Sequence, residues 1–452
     1  MTPSTAKEIQ PYRTMSRREF LRLSALASAG VIIGCAVNPV TGEKQFMLVS
    51  EDWEVQIDQE NAPYQFSADY GATQDQELNR YITQVGSTIA AGTHRPQMPY
   101  SFRCVNATYI NAYAFPGGSI AATRGIMLSL ESEAALAALL GHELGHVNAR
   151  HTARQMSKSM LTQAIIAGVS IYAASKDELY GDIASAIGMI GAGALLASYS
   201  RDNEREADYL GMKYMTQSGY GTKGFVELMA MLNSLHQGSP DAVSLLFATH
   251  PMSSERYETA VRLAETEFAD AESQPLYRER YMDNTASLRK IKPAIELFQK
   301  GDELTAGKKF GDAEKALVQG LKIAPNDYAG LVIMSKCQLA QGKHNEALQF
   351  STKARQVYPQ EAQADYISGY CSLQLNRLDS AVADFTAYEK KLPGNPNTRF
   401  YRGLAYEKMG RKQEAAADYT AFLQQVNQGV EAQHAYNQLV KWGFIKPDTQ
   451  TQ

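Results

Sequence analysis

A repeat of 34 residues in the last third of the chain constrains the fold more than any other feature of the 452-residue sequence. Alanine recurs at this interval, at Ala313, Ala347, Ala381 and Ala415. Proline recurs at the same interval, at Pro325, Pro359 and Pro393. A unit of this length is one helical hairpin, which cannot bury its apolar face alone, so successive units must stack. The sequence therefore predicts an α-solenoid over residues 291–448.

The spacing of small residues within each unit is that of the tetratricopeptide repeat. Small residues hold the contact position of the first helix in each unit: Gly301, Ser335, Gly369 and Gly403. Cys337 and Cys371 occupy equivalent positions in adjacent units. Helix pairs lie roughly 8–10 Å apart, beyond the roughly 7 Å limit for a disulfide. We therefore expect both cysteines to be core thiols.

A second motif, upstream of the repeats, predicts a metal site. Residues 142–146 read His-Glu-Leu-Gly-His. On a helix, His142 and His146 project from one face and can bind the same metal ion. Glu143 lies one position along, where its carboxylate can reach a water held by that metal. The helix is predicted to begin near Ser129 or Ser132, with acidic residues in its first turn.

A catalytic zinc takes three protein ligands and leaves its fourth position to water. Glu204, 58 residues beyond His146, is the candidate third ligand. Asp208 is four residues further on and shares its helical face, where it can accept the spare N–H of a ligand histidine. The two motifs together predict one zinc ion per chain.

The alternative is that these residues are an ordinary polar patch, with Glu204 and Glu206 as solvated charges. An apolar run over residues 134–140 precedes Glu143, and charges are rarely placed in such a helix without a partner. Gly145 costs roughly 1 kcal/mol inside a helix, which suggests that another backbone approaches it closely. Both observations favour the metal site.

Two further histidines lie near these motifs in the sequence. His151 is nine residues from His142, about half a turn out of phase on a continuous helix, which predicts a surface residue. His250 precedes Pro251, which ends any helix there, so its imidazole is predicted to lie on a loop. It can approach the metal as a fourth ligand, donate to an oxyanion, or be a satisfied loop histidine. Arg201 is a second candidate oxyanion donor.

The region between residues 100 and 123 has the alternation and β-branched content of strands. The strand around Gly118–Thr123 is predicted to pair with an extended substrate, since edge pairing reads backbone and not sequence. The formal net charge of −4 and the absence of a long basic run give no reason to expect nucleic acid as a partner.

The N-terminus has the features of a targeting segment. Residues 16–21 (Ser-Arg-Arg-Glu-Phe-Leu) resemble a twin-arginine export signal, and residues 32–35 (Ile-Ile-Gly-Cys) resemble a bacterial lipobox. Cys35 is then the lipidated first residue of the mature protein. Ala36 follows it where aspartate often retains lipoproteins at the inner membrane, which favours the outer membrane. Two later apolar stretches, 161–174 and 183–197, are each shorter than a membrane span.

Taken together, these motifs resemble the gluzincin zinc metallopeptidases of the HtpX and CaaX-prenyl-protease family. The segments that carry the resemblance are 111–118, 123–125, 142–146, 199–208 and 249–251. With repeats behind the peptidase domain, the layout is similar to that of periplasmic β-barrel assembly-enhancing proteases.

The resemblance implies zinc held by His142, His146 and Glu204, with Glu143 as the catalytic carboxylate and Asp208 in support. It implies a peptide-bond hydrolase that degrades unfolded or misassembled envelope proteins. The repeats would bind substrates or the outer-membrane assembly machinery. A function of another class stays open, namely a repeat-based chaperone or assembly adaptor whose metal site is self-inhibited most of the time.

The predicted fold is mainly α, with an α+β peptidase domain that carries a small edge sheet. The predicted parts are a lipoprotein signal peptide (1–34), a tether (35–60), a zinc metallopeptidase domain (61–270), a linker (271–290) and the tetratricopeptide repeats (291–448).

Overall fold

The computed structural model describes residues 35–166, 199–238 and 244–446. The predicted signal peptide (1–34), the second apolar stretch and most of the first lie outside these residues. Two parts follow each other along the chain, an α+β part and a solenoid of helical hairpins, which confirms the predicted fold class. No helix in the described ranges is both long and apolar enough to cross a membrane.

In the described residues, five short strands form two sheets. Strands β1 (Cys35–Val37) and β2 (Lys44–Phe46) pair as an antiparallel hairpin. Strands β3 (Ser101–Val105), β4 (Ala112–Ala114) and β5 (Ser119–Thr123) form the second sheet in the order β3-β5-β4. Strand β5 runs parallel to β3 and antiparallel to β4.

The expectation that the strand around Gly118–Thr123 receives a substrate is wrong, because β5 is the central strand and both of its edges are paired. The outer edge belongs to β4 instead. Its Ala112 pairs with Ala122 on one side, and the described residues place no further strand on the other side. The alternation of residues predicts strands but not their order, which depends on the parallel pairing of β5 with β3.

The helices of the α+β part are α1 (Glu51–Ala68), α2 (Gln76–Ala90), α3 (Arg124–Ser129), α4 (Glu133–Asn148), α5 (His151–Ile166), α6 (Arg201–Gln217), α7 (Lys223–Gly238), α8 (Ser244–Thr249) and α9 (Ser254–Glu265). A 3-10 turn at Ala269–Ala271 and the short helices α10 (Arg278–Asn284) and α11 (Ala286–Lys290) lead to the solenoid.

The solenoid is made of four hairpins and a final helix. Its helices are α12 (Lys292–Ala306), α13 (Phe310–Ile323), α14 (Tyr328–Ala340), α15 (His344–Val357), α16 (Gln363–Gln374), α17 (Leu378–Lys391), α18 (Pro396–Lys408), α19 (Lys412–Leu423) and α20 (Val430–Lys441). Cys337 and Cys371 are buried and free, as the repeat spacing predicts.

Helix α4 is the centre of the α+β part. The side chain of Ser132 caps it by accepting the N–H of Ala135, at one of the two predicted start sites. All sixteen of its residues are buried. Helix α6 packs against it at glycine positions, because a Cβ added to Gly145 would lie 2.9 Å from the carbonyl oxygen of Ala207. The backbones of the two helices are therefore nearly in contact, which is the close approach that Gly145 predicts.

The segment predicted as a tether is largely ordered. Helix α1 begins at Glu51, and Ser50 caps it by accepting the N–H of Trp53. Two of its acidic residues, Glu54 and Asp58, are buried with partners. Glu54 contacts Arg95 and Arg150, and Asp58 accepts the N–H of Ser119.

The segment predicted as a linker (271–290) also packs against the domain. It contains α10 and α11, and Tyr281 of α10 is fully buried. The hydroxyl of Tyr281 donates to the carbonyl oxygen of Met127, over 2.6 Å. This segment therefore extends the hydrophobic core of the α+β part up to the first repeat.

The end of α1 docks onto the first helices of the repeats. Tyr70 belongs to the same buried cluster as Phe298 and Tyr328, and Lys336 lies 4.6 Å from the centre of its ring. Ser67 hydrogen-bonds Glu361. The two parts of the chain are thus joined by a buried interface.

A buried ion pair between Arg124 and Asp327 lies in this interface. The two side chains are 3% and 5% exposed, and Asp327 also caps α14 by accepting the N–H of Gly330. Arg124 donates in addition to the carbonyl oxygen of Asn106. A guanidinium that loses its partner in such a place is left buried and uncompensated.

We therefore expect Asp327→Ala to lower the free energy of unfolding by about 3–5 kcal/mol. Asp327→Asn, which keeps the cap and removes the charge, should lose less. The matched control is Asp312→Ala, because Asp312 pairs with Lys315 on an exposed surface and such pairs contribute little. Denaturant unfolding of the full chain measures all three, and equal midpoints for Asp327→Ala and Asp312→Ala would contradict the expectation.

Candidate metal centre

The two sequence motifs meet where α4 and α6 touch. The Nε2 atoms of His142 and His146 lie 3.0 Å apart. Glu204 offers Oε1 at 3.4 Å from Nε2 of His146 and Oε2 at 3.6 Å from Nε2 of His142. Ligand atoms about 2.0–2.1 Å from a tetrahedral zinc are separated by roughly 3.4 Å. The spacing of these three side chains therefore fits a zinc ion.

His250 joins these three residues. Its Nδ1 lies 3.2 Å from Oε1 of Glu204 and 3.4 Å from Nε2 of His142. The residue follows the end of α8, and its N–H donates to the carbonyl oxygen of Leu246. The four side chains offer ligand atoms that all lie within 4.8 Å of one another. Of the three alternatives for His250, the structure places it beside the ligand set, where it can serve as a fourth ligand or as an oxyanion donor.

The charge states of these groups suit metal binding, which needs neutral imidazole and ionised carboxylate. Burial holds the pKa of His146 well below its usual value. Burial alone would raise the pKa of Glu204, but the charge of His250, a hydrogen bond from His146 and the charge of Arg256 together hold it well below its usual value. Both shifts favour the forms that bind a metal, the ionised carboxylate of Glu204 and the neutral imidazole of His146.

Glu143 has the environment of a proton acceptor. It is buried, and burial raises the pKa of its carboxyl group, although His250 and His142 oppose the shift. Its Oε2 has no hydrogen-bond partner among the described residues, whereas buried polar atoms are nearly always paired. The Oε1 atom of Glu143 lies 3.9 Å from Nε2 of His250, so the carboxylate lies beside the ligand set, and its unpaired oxygen can bind a water.

Asp208 supports His142 from behind. Its Oδ1 lies 3.0 Å from Nδ1 of His142, where the four-residue spacing from Glu204 predicts it. Arg256, on α9, donates to Asp208 through Nε and Nη2, each over 2.7 Å. The Nη1 atom of Arg256 lies 2.7 Å from Oε2 of Glu204. One buried guanidinium thus holds the third ligand and the supporting carboxylate together.

Arg256 is a residue that sequence reasoning missed. It stands in Ser-Glu-Arg-Tyr-Glu, a polar stretch that reads as a solvated helix face, and only its distance of five residues from Pro251 links it to a motif. Arg201, the predicted oxyanion donor, is exposed on the first turn of α6 and is not part of the site. That expectation is wrong because Arg201 stands at the first position of α6, one turn before Glu204, and is exposed to solvent while Glu204 is buried.

Tyr199 fixes the ring of His146. The two rings are stacked, with centroids 3.8 Å apart and planes inclined by 17°. The hydroxyl of Tyr199 lies 3.0 Å from Oγ1 of Thr152. Residues 114–116, at the end of β4, line a small cavity together with His146 and Tyr199. The outer edge strand of the sheet therefore ends beside the ligand set.

The expectation that His151 lies on the surface is wrong. Its side chain is fully buried, and its Nδ1 lies 2.8 Å from Nδ1 of His146. His151 would be out of phase only on one continuous helix, but α4 ends at Asn148 and Arg150 adopts a left-handed backbone with φ of 57°. The chain turns there and brings His151 back beside α4, next to His146.

Comparison with known proteins identifies the two parts. Residues 76–264 match the family model described as "Peptidase family M48", and residues 338–396 match that of a tetratricopeptide repeat. Residues 76–264 are therefore similar to the M48 peptidases, a family that implies a bound metal ion, and a region similar to tetratricopeptide repeats follows them. All of the site residues described above lie within the matched peptidase range.

The chain is similar to proteins from several organisms. It is 31% identical over 186 residues to the putative beta-barrel assembly-enhancing protease of Vibrio cholerae, covering 40% of this chain and 38% of that protein. It is 24% identical over 305 residues to the beta-barrel assembly-enhancing protease of Escherichia coli K12, covering 63% and 62%. The metalloprotease YcaL of Escherichia coli K12 is 31% identical over 167 residues, covering 37% and 63%. The matches span less than two thirds of each of these relatives.

Proposed function

We propose that this chain is a zinc-dependent metalloendopeptidase of the bacterial cell envelope that degrades misfolded or misassembled envelope proteins, including those of the outer membrane. The observation that carries the proposal is the buried set of His142, His146 and Glu204, with an unpaired carboxylate oxygen of Glu143 beside it. The M48 match over residues 76–264 and the relatives named as proteases support it.

The chemistry follows from the side chains of the site. A zinc ion bound there would polarise a water and lower its pKa towards roughly 7. Glu143 would accept a proton from the attacking water through its unpaired oxygen and would deliver it to the leaving amine. Asp208 and Arg256 keep His142 and Glu204 in place during this exchange. His250 can donate a hydrogen bond to the developing oxyanion.

The outer edge of β4 is the candidate platform for the substrate. An extended peptide that adds to a sheet edge is held by main-chain hydrogen bonds, so its sequence matters little. Strand β4 ends at Ala114, beside His146. Weak sequence selectivity suits substrates that are recognised by being unfolded, and the relatives named for β-barrel assembly support envelope proteins as that class.

The repeats are proposed to bind substrates or parts of the outer-membrane assembly machinery. Helices α12 and α14, the first helices of the first two units, pack against the peptidase domain around Tyr70 and Arg124. A partner held by the remaining surface would therefore lie at a fixed distance from the metal site. Tetratricopeptide solenoids present extended surfaces of this kind.

His250 supports a second candidate function, a chaperone or assembly adaptor with a self-inhibited metal site. Its Nδ1 lies as close to the ligand atoms as they lie to one another, so it can take the fourth position that a catalytic zinc leaves to water. A peptidase inhibited in this way needs a movement of α8 before it can act.

An assay of casein cleavage by the purified full chain separates the two candidates. We expect slow cleavage that stops with a chelator and in Glu143→Gln. The rate of His250→Ala then assigns the role of His250: slower cleavage makes it an oxyanion donor, and faster cleavage makes it an inhibitory ligand that takes the fourth position. The chaperone function replaces the peptidase if neither the wild-type chain nor His250→Ala cleaves casein while Glu143→Gln still prevents aggregation of an unfolded protein.

We also propose that a lipid on Cys35 anchors the chain to the outer membrane, facing the periplasm. The support is the lipobox at residues 32–35 that follows a twin-arginine-like segment. Cys35→Ala should move the protein from the membrane fraction to the soluble fraction without changing casein cleavage in vitro. A soluble wild-type protein with an unmodified Cys35 by mass spectrometry would refute the anchor.

A further inference from the structure

His151 connects the second histidine of the metal motif to a carboxylate. Its Nδ1 lies 2.8 Å from Nδ1 of His146, and its Nε2 lies 2.9 Å from Oε2 of Glu206. Arg154 donates to the same oxygen of Glu206 over 3.0 Å. The side chain of His151 is fully buried, so water does not compete for either nitrogen.

The positions of the hydrogens in the series of contacts from His146 through His151 to Glu206 follow from the pairing of Glu206 with Arg154. Glu206 pairs with Arg154 and is an acceptor, so Nε2 of His151 carries the hydrogen and donates to it. The Nδ1 atom of a neutral His151 is then an acceptor, and Nδ1 of His146 must donate to it. His146 is left with a lone pair on Nε2, the atom that faces the ligand set. A metal ligand needs this tautomer.

The support of His146 parallels that of His142. Nδ1 of His142 faces Asp208 directly, and Asp208 is paired with Arg256. Nδ1 of His146 faces a carboxylate and an arginine as well, but through the intervening imidazole of His151. Each ligand histidine is thus backed by a carboxylate and an arginine.

The turn that delivers His151 is itself fixed by buried charges. Arg150 adopts a positive φ, which is strained for a residue with a side chain. Its Nε contacts Oε1 of Glu54 at 3.1 Å, and its Nη2 donates to the carbonyl oxygen of Val49 over 3.0 Å. Both groups belong to the segment at the start of α1. The ordered N-terminal segment therefore holds the turn in which His151 stands.

We propose that His151 is a positioning residue of the metal site, which accepts the Nδ1 proton of His146, links it to Glu206 and so fixes the ring and tautomer of His146. This inference rests on the proposed function, because it assigns a role towards the same metal ion. The residue does not touch the substrate or the metal, and it acts through His146.

Two variants of similar size test the proposal. His151→Leu fills the cavity but offers no acceptor, whereas His151→Asn places an amide oxygen near the position of Nδ1. We expect His151→Leu to raise the zinc dissociation constant by about 10–100-fold, the usual effect of losing such a partner, and His151→Asn to recover most of the affinity. A role in packing alone predicts the opposite order, because leucine fills a buried site at a smaller desolvation cost than asparagine.

The coupling to Glu206 provides a second readout. Glu206→Ala should weaken zinc binding in the wild-type background and add nothing in the His151→Leu background, since the link is already broken. Titration of the metal-free full chain with zinc against a competing chelator measures every constant. Unchanged affinity in His151→Leu, or equal effects of Glu206→Ala in both backgrounds, would overturn the role of His151 alone. A wild-type chain that binds no zinc would overturn the proposed function and this inference together.

Discussion

The backbone contact between α4 and α6 is the constraint on which the rest of the site depends. A Cβ on Gly211 would lie 2.8 Å from the backbone nitrogen of His142, and one on Gly145 would lie 2.9 Å from the carbonyl oxygen of Ala207. Glycine at these places lets the helix axes approach more closely than side chains allow. The approach brings Glu204 within 3.4 Å of His146 across 58 residues of sequence. Larger residues at these glycines would separate the third ligand from the first two.

Close approach also buries charge, and the fold must compensate it. Glu143, Glu204 and Asp208 are all buried within one small volume, and buried carboxylates are costly without partners. Arg256 pairs with two of them, which holds the pKa of Asp208 below its usual value even though burial opposes this. Glu143 lacks such a pair, and its pKa is raised. The site thus separates carboxylates that bind and position from one that can exchange a proton.

The parts of this arrangement that depend on a regular spacing along the chain can be predicted from the sequence. Positions four apart on a helix share a face, which places His142 with His146 and Glu204 with Asp208. The 34-residue period likewise predicts the solenoid. Contacts that depend on a turn or on tertiary packing do not follow in this way. The left-handed residue Arg150 reverses the phase at His151, and Arg256 reaches Asp208 only because α9 packs across α6. Nothing local in the sequence links Glu54 to Arg95 and Arg150, which it contacts only in the folded chain.

The zinc content of three purified forms tests the central claim most directly. If the contact of α4 and α6 builds one site from both motifs, the wild-type chain and Glu143→Gln should each bind one zinc per chain, because Glu143 is a proton acceptor and not a ligand. Glu204→Ala, which removes the only ligand supplied by α6, should lose zinc and peptidase activity together. Full zinc content and full activity in Glu204→Ala would contradict the account, because the metal would then be held without the residue that the helix contact brings to it.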